Sequence, residues 1–129
     1  MRPIAISTRQ ESSYILESNR DDPPEEQVIF RLRDSLPLAV RTRILDAMSM
    51  DKSTRMISPE MGRRNLLACK AGILGWENLV DASGREVPCD MSGGEVSDRS
   101  MARLQDAWII EIGSEIIARS QLSEEQAEK

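Results

Sequence analysis

Apolar positions recur along this chain at two spacings. Between Gln27 and Arg33 they alternate, with Val28, Phe30 and Leu32 on one face and Arg31, Arg33 and Ile29 on the other. That pattern predicts a strand with one face in a core. From Leu36 the spacing becomes four, and Leu36, Val40, Ile44 and Met48 fall on one side of a helix entered through Ser35 and Pro37 and running to about Met50. Leu38 and Leu45 lie on its opposite side. A helix that is apolar on two sides either sits deep or meets a second partner. A second helix is predicted from Pro59 to Lys70, capped by Ser58-Pro59-Glu60, with Leu66, Leu67 and Cys69 inward and Arg63, Arg64 and Lys70 toward water. Gly72 is placed to end it in the left-handed conformation.

The longest periodic run opens near Ser97-Asp98 and closes near Ser120. Met101, Leu104, Trp108, Ile109, Ile112 and Ile116 form its core stripe, while Ile110, Gly113 and Ile117 share another side. A mid-helix glycine costs about 1 kcal/mol relative to alanine. Between two isoleucines, Gly113 permits close approach of another backbone, so Ile110, Gly113, Ile117 and the following Leu122 are read as a partner-binding side.

The remaining segments are shorter. Ile4 and Ile6, then Tyr14 and Leu16, suit brief extended pieces, and Asn19 to Glu26, with two prolines and four carboxylates, reads as an exposed loop. Trp76 and Leu79 are expected on an irregular or single-turn segment. Asp81-Ala82-Ser83-Gly84 is a turn signal between Val80 and Val87, with Gly84 at positive φ, and Pro88 to Gly94 continues as loop. The whole is one α+β domain over residues 1–129, mainly helical. It has three or so helices, a small N-terminal β element and a short hairpin or loop in the middle. Residues 1–26 are read as loosely structured and 121–129 as a flexible acidic tail.

Composition narrows the classes. Aromatics at 3% leave the core to Leu, Ile, Val and Met. No apolar run approaches the roughly 18 residues of a membrane span, and the first ten residues lack a signal-peptide pattern, so the expected location is the cytoplasm. The net charge of −5 is uneven: Arg31 to Lys70 holds nine basic residues against four acidic, and Ala71 to Lys129 five against twelve. Such a division describes solvated faces that attract one another or, alternatively, a small DNA-binding regulator using the basic segment 31–70, with Arg41, Arg43, Arg55, Arg63 and Arg64 on a helix-turn-helix surface. A pI near 4.8 opposes the second reading.

The chain has no histidine, which removes the usual general base and makes a four-ligand zinc site improbable. Cys69 and Cys89 match neither a redox motif nor a metal set and are read as unpaired thiols. Glu111 and Glu115, one helical turn apart, have the spacing of an acid and base pair or a divalent-cation site, but that spacing arises on any polar helix flank and is read as one. Asp81, Ser83 and Glu86 lack the remaining ligands of a calcium loop. No phosphate-binding glycine motif is present. The expectation is a non-enzymatic protein without cofactor, metal or catalytic residue.

The stretch Gly72 to Val87 concentrates three of the seven glycines and one of the two tryptophans. Its residues Gly72, Gly75, Trp76, Asn78, Asp81 and Gly84 spell G-x-x-G-W-x-N followed by a D-x-x-G turn. Preceded by the strand Val28 to Leu32 and followed by Ile109 to Ile117 and an acidic tail, this order resembles small proteins of the virion-assembly module of tailed phages and prophages. The resemblance implies a tail-assembly chaperone-like or minor virion protein in a bacterial host. Its partners would be phage structural or assembly proteins, and self-association would suit the two-sided helices.

Overall fold

The computed structural model describes residue 3, residues 11–49 and residues 59–128. The expectations for Ile4, Ile6 and residues 51–58 lie outside the described residues, as do the side chains of Met48, Leu122 and the acidic tail. In chain order the elements are β1 (Glu11–Tyr14), β2 (Ile29–Arg33), α1 (Leu38–Ser49), α2 (Pro59–Gly72), β3 (Ile73–Glu77), β4 (Met91–Ser92), β5 (Glu95–Val96), α3 (Asp98–Met101) and α4 (Asp106–Glu128). Short 3-10 turns at Glu17–Asn19 and Pro24–Glu26 fill the β1–β2 connection. The fold is α+β, and the described residues form four helices, a three-stranded antiparallel sheet and a two-stranded one.

The strand with the clearest alternation is the central one, in the order β1-β2-β3. Its inward residues Phe30 and Leu32 are completely buried, and Arg31 between them is exposed. Phe30 pairs with Trp76, their rings meeting edge to face at 6.0 Å, and Leu32 pairs with Ile73. Trp76 therefore belongs to a strand, not to the irregular segment expected. The reason is a bulge: Arg31 pairs with Gly75 and Leu32 with Ile73, which leaves Leu74 as an extra residue. Ile73 and Trp76 both face the core at a spacing that alternation does not reveal.

Leu36, Val40 and Ile44 of the α1 region, Ala68, Cys69 and Ala71 of α2, and Ile112 and Ile116 of α4 close the core over the sheet. α2 packs against both α1 and α4. Three boundaries differ from the periodicity. α2 runs directly into β3 through Gly72, which does not have a positive φ. The long last helix is two helices, since Ala102 to Gln105 make a turn with Arg103 N donating to Ser100 O at 3.1 Å and Leu104 N to Met101 O at 3.0 Å. Met101 and Leu104 are buried across that break, and a spacing of three serves a helix and a tight turn alike. α4 then continues past Ser120 to Glu128. Ser97 does cap the entry, its Oγ accepting from Ser100 N at 3.2 Å. Finally, Met91 to Val96 is a hairpin rather than open loop: Gly93 and Gly94 at φ 61° and 81° supply the two left-handed positions of its turn.

Candidate functional site

The six signature residues all hold the fold together. Gly72 leaves room for Ile116, whose methyl carbons would lie 2.7 Å from any Cβ placed there. Gly75 lets the Arg31 guanidinium lie across β3. Trp76 is buried and its Nε1 donates to Val87 O at 2.8 Å, tying β3 to the segment that returns from the turn. Asn78, the one described non-glycine residue at positive φ (68°), donates from Nδ2 to Glu25 O at 2.7 Å and Gln27 O at 3.1 Å. Its bonds are thus long-range, to the segment that precedes β2. Asp81 Oδ1 accepts from Ser83 N, Ser83 Oγ and Arg85 N at 2.9, 2.7 and 3.1 Å, and Gly84 takes φ 82°. Those donors, the Ser83 hydroxyl first, hold the Asp81 carboxyl below its ordinary range.

The expected partner side of the last helix divides. Gly113 is buried against α2 of the same chain: a Cβ there would sit 2.6 Å from Asn65 Cβ and 2.7 Å from its Cα and carbonyl oxygen. The close backbone approach anticipated at Gly113 is therefore real and internal. Asn65, fully buried, donates from Nδ2 to Ile110 O at 2.8 Å and to Ser114 Oγ at 3.1 Å, locking the crossing. Periodicity had put Leu66 on this inward face. It is instead exposed, because a polar residue that finds a carbonyl and a hydroxyl on α4 takes the buried position. Ile117 is partly buried on the core, and Ile110 is 51% exposed.

Glu111 and Glu115 are tied into a polar seam between β1 and α4. Glu111 Oε2 accepts from Tyr14 Oη at 2.6 Å and Glu17 N at 3.0 Å. Glu115 accepts from Arg119 Nε at 2.9 Å, and Arg119 Nη1 donates to Ser12 Oγ at 2.6 Å and lies 3.5 Å from Asp34. The guanidinium groups of Arg20 and Arg119 lie 5.3 and 5.9 Å from the Tyr14 ring centre. Burial, then the Glu111 carboxylate, raises the Tyr14 hydroxyl to about 12. These residues come from ends of the chain about a hundred positions apart, and no local spacing announces them.

The cysteines are both free. Cys69 is buried, its thiol raised to about 12 by desolvation and directed at Ile109 O, and Cys89 is half-buried with its thiol also raised. A depression of about 390 Å³ between the Asp81 turn and α3 is lined by Arg85, Arg99 and Arg103 against Asp81, Glu86 and Asp90. Its charges balance, and Arg99 already pairs with Asp90 at 2.7 Å. Among the described residues no group of three or more cysteines and carboxylates is placed to hold a metal ion, and no helix is long and apolar enough to cross a membrane.

Part of the uneven charge pairs across the fold. Arg43 meets Glu95 at 3.0 Å and Lys70 meets Asp98 at 2.7 Å, so basic middle and acidic end neutralise each other in part. The outward side of α1 carries Thr42, Arg43 and Asp46 together with two large apolar side chains, Leu38 and Leu45, which are 69% and 61% exposed opposite the buried Val40 and Ile44. Comparison with protein-family models, curated proteins and solved structures finds no match.

Proposed function

We propose that the protein acts by binding other proteins during phage or prophage virion assembly, as a tail-assembly chaperone or minor tail component, without catalysing a reaction. One observation carries the reading. α1 buries one side and leaves two leucines, seven residues apart and both well exposed, on the other. A helix presenting apolar side chains two turns apart matches the way a helix is received by a groove or by a second helix. The resemblance of the Gly72 to Gly84 signature to virion-assembly proteins supplies the context. The signature residues hold this fold together, and the binding is assigned to surfaces that the fold displays.

The test is genetic and biochemical together. Deleting the gene from the phage or prophage that carries it yields full heads and few tailed particles by electron microscopy, and the wild-type gene restores them. A Leu38→Glu, Leu45→Glu double variant keeps the circular-dichroism spectrum and melting temperature, yet fails to restore tails and to co-purify with co-expressed tail proteins of the same gene cluster. Unchanged titre after deletion overturns the assembly role. Full complementation by the double variant overturns the α1 surface.

A further inference from the structure

Among the described residues, the edge strand β1 is attached chiefly through polar groups. Of its four residues, Glu11, Ser12 and Ser13 are exposed and Tyr14 is half-buried. The buried anchor of this region is Leu16, which lies beyond the strand, and Asn19 ties the following turn down separately. Its Oδ1 accepts from Val28 N at 2.7 Å and its Nδ2 donates to Glu26 O at 3.2 Å. Leu16 and the Asn19 hub can thus stay in place while β1 leaves. Besides the ladder to β2, side-chain bonds hold β1: Tyr14 to Glu111, and Ser12 to Arg119 and Asp34. The polar groups find equivalent partners in water and the Tyr14 ring, though packed against the core, is only half-buried, so releasing the strand costs less than releasing an element whose apolar side chains are fully buried.

We propose that β1 is a displaceable strap over the hydrogen-bonding edge of β2, and that an extended segment of a partner polypeptide takes its place. Once β1 is off, the backbone of Phe30 to Arg33 offers an unpaired edge, and edges of this kind pair readily with added strands. The site left behind specifies its occupant. Position 14 sits beside the Glu111 carboxylate and between the Arg20 and Arg119 guanidiniums, which selects an aromatic hydroxyl. Position 12 meets Arg119 and Asp34 and selects a small hydroxyl. The outer positions 11 and 13, exposed in the sheet, select polar residues. The inference rests on this seam alone and is independent of the assembly role proposed above.

Two measurements on the full chain test it. Hydrogen exchange followed by mass spectrometry should show the β1 amides opening at denaturant concentrations that leave the β2–β3 amides closed; exchange of both only through global unfolding overturns the proposal. A fluorescent synthetic peptide spanning residues 8–15 serves as the probe strand. It should bind the Tyr14→Phe protein about fivefold more tightly than wild type, because the chain's own strap has lost its bond to a carboxylate while the peptide keeps it. The same peptide carrying the Tyr14→Phe change should lose that gain. Equal affinity of the two proteins for the tyrosine peptide, or equal affinity of the two peptides for the variant, overturns the assignment of the occupant.

Discussion

Two seams join α4 to the rest of the molecule, and they are made of different material. Toward α2, α4 brings Gly113 against the Asn65 backbone and Ile116 against Gly72, with Asn65 buried between a carbonyl and a hydroxyl. Toward β1, α4 presents Glu111, Glu115 and Arg119 to Tyr14 and Ser12 at the margin of solvent. The first seam is fixed by volume and by a buried polar group that has no substitute partner. The second is a set of hydrogen bonds whose groups water can satisfy. Close packing is lost in large steps and exposed polar bonding in small ones. The helix is therefore rigid on one side and exchangeable on the other.

Replacing Gly113 breaks the comparison most directly. A Cβ at 2.6 to 2.7 Å from Asn65 backbone and Cβ atoms cannot be relieved by turning a side chain. Gly113→Ala should lower stability by about 3 kcal/mol in denaturant titration, although alanine favours a helix by about 1 kcal/mol. Gly113→Leu should fail to fold, which makes it unfit as a probe of an outer surface. A stabilised alanine variant would show that the α2–α4 seam is loose. Asn65→Ala comes next, at about 2 kcal/mol, since it strips the Ser114 hydroxyl of a partner in a buried place and leaves a small void.

How legible these seams were depends on what each is made of. The strand Val28 to Leu32, the two-sided α1 and the core stripe of α4 follow from apolar spacing, which is a local property and survives in the sequence. The glycine at 113 was recognisable as a close approach because its helix penalty demands a reason, but nothing local says whether the approaching backbone belongs to the same chain. Asn65 on a buried face contradicts hydropathy, and only α4 across the seam explains it. β3 escaped because a bulge at Leu74 shifts the spacing, and the α3–α4 break because a tight turn shares the helix's spacing of three. The β4–β5 hairpin was read as loop, since its strands are only two residues each and show no alternation. The β1–α4 seam was not readable at all, since Tyr14 and Glu111 are joined only by the fold.

On the polar seam the expected effects are smaller. Tyr14→Phe removes one hydrogen bond to a carboxylate at a half-exposed position and should cost about 1 kcal/mol of global stability, less than a fully buried charged bond because water screens it. Its larger effect should appear locally, as faster exchange of the β1 amides. A loss comparable to that of Gly113→Ala would show that β1 is as firmly built in as α2 and would remove the contrast between the two seams.

Alkaline titration separates the seams by their own ionising groups. Each carries one hydroxyl or thiol whose folded pKa is raised to about 12: Cys69 at the α2–α4 contact, from 9.0, and Tyr14 on the β1–α4 side, from 10.0. In both the folded state favours the protonated, neutral form. Their contributions are therefore complete below the unfolded values and fade as pH rises toward the folded ones, because the unfolded chain ionises first. Stability should begin to fall near pH 9 through Cys69 and fall more steeply above pH 10 as Tyr14 joins. Cys69→Ala should flatten the part that begins near 9, and Tyr14→Phe only the added slope above 10. Melting temperatures measured at half-unit intervals from pH 8 to 11 for the three proteins give the comparison directly. If Tyr14→Phe leaves the slope above pH 10 unchanged, the tyrosine is not held by Glu111 in solution, and the polar seam is looser still than its bond lengths indicate.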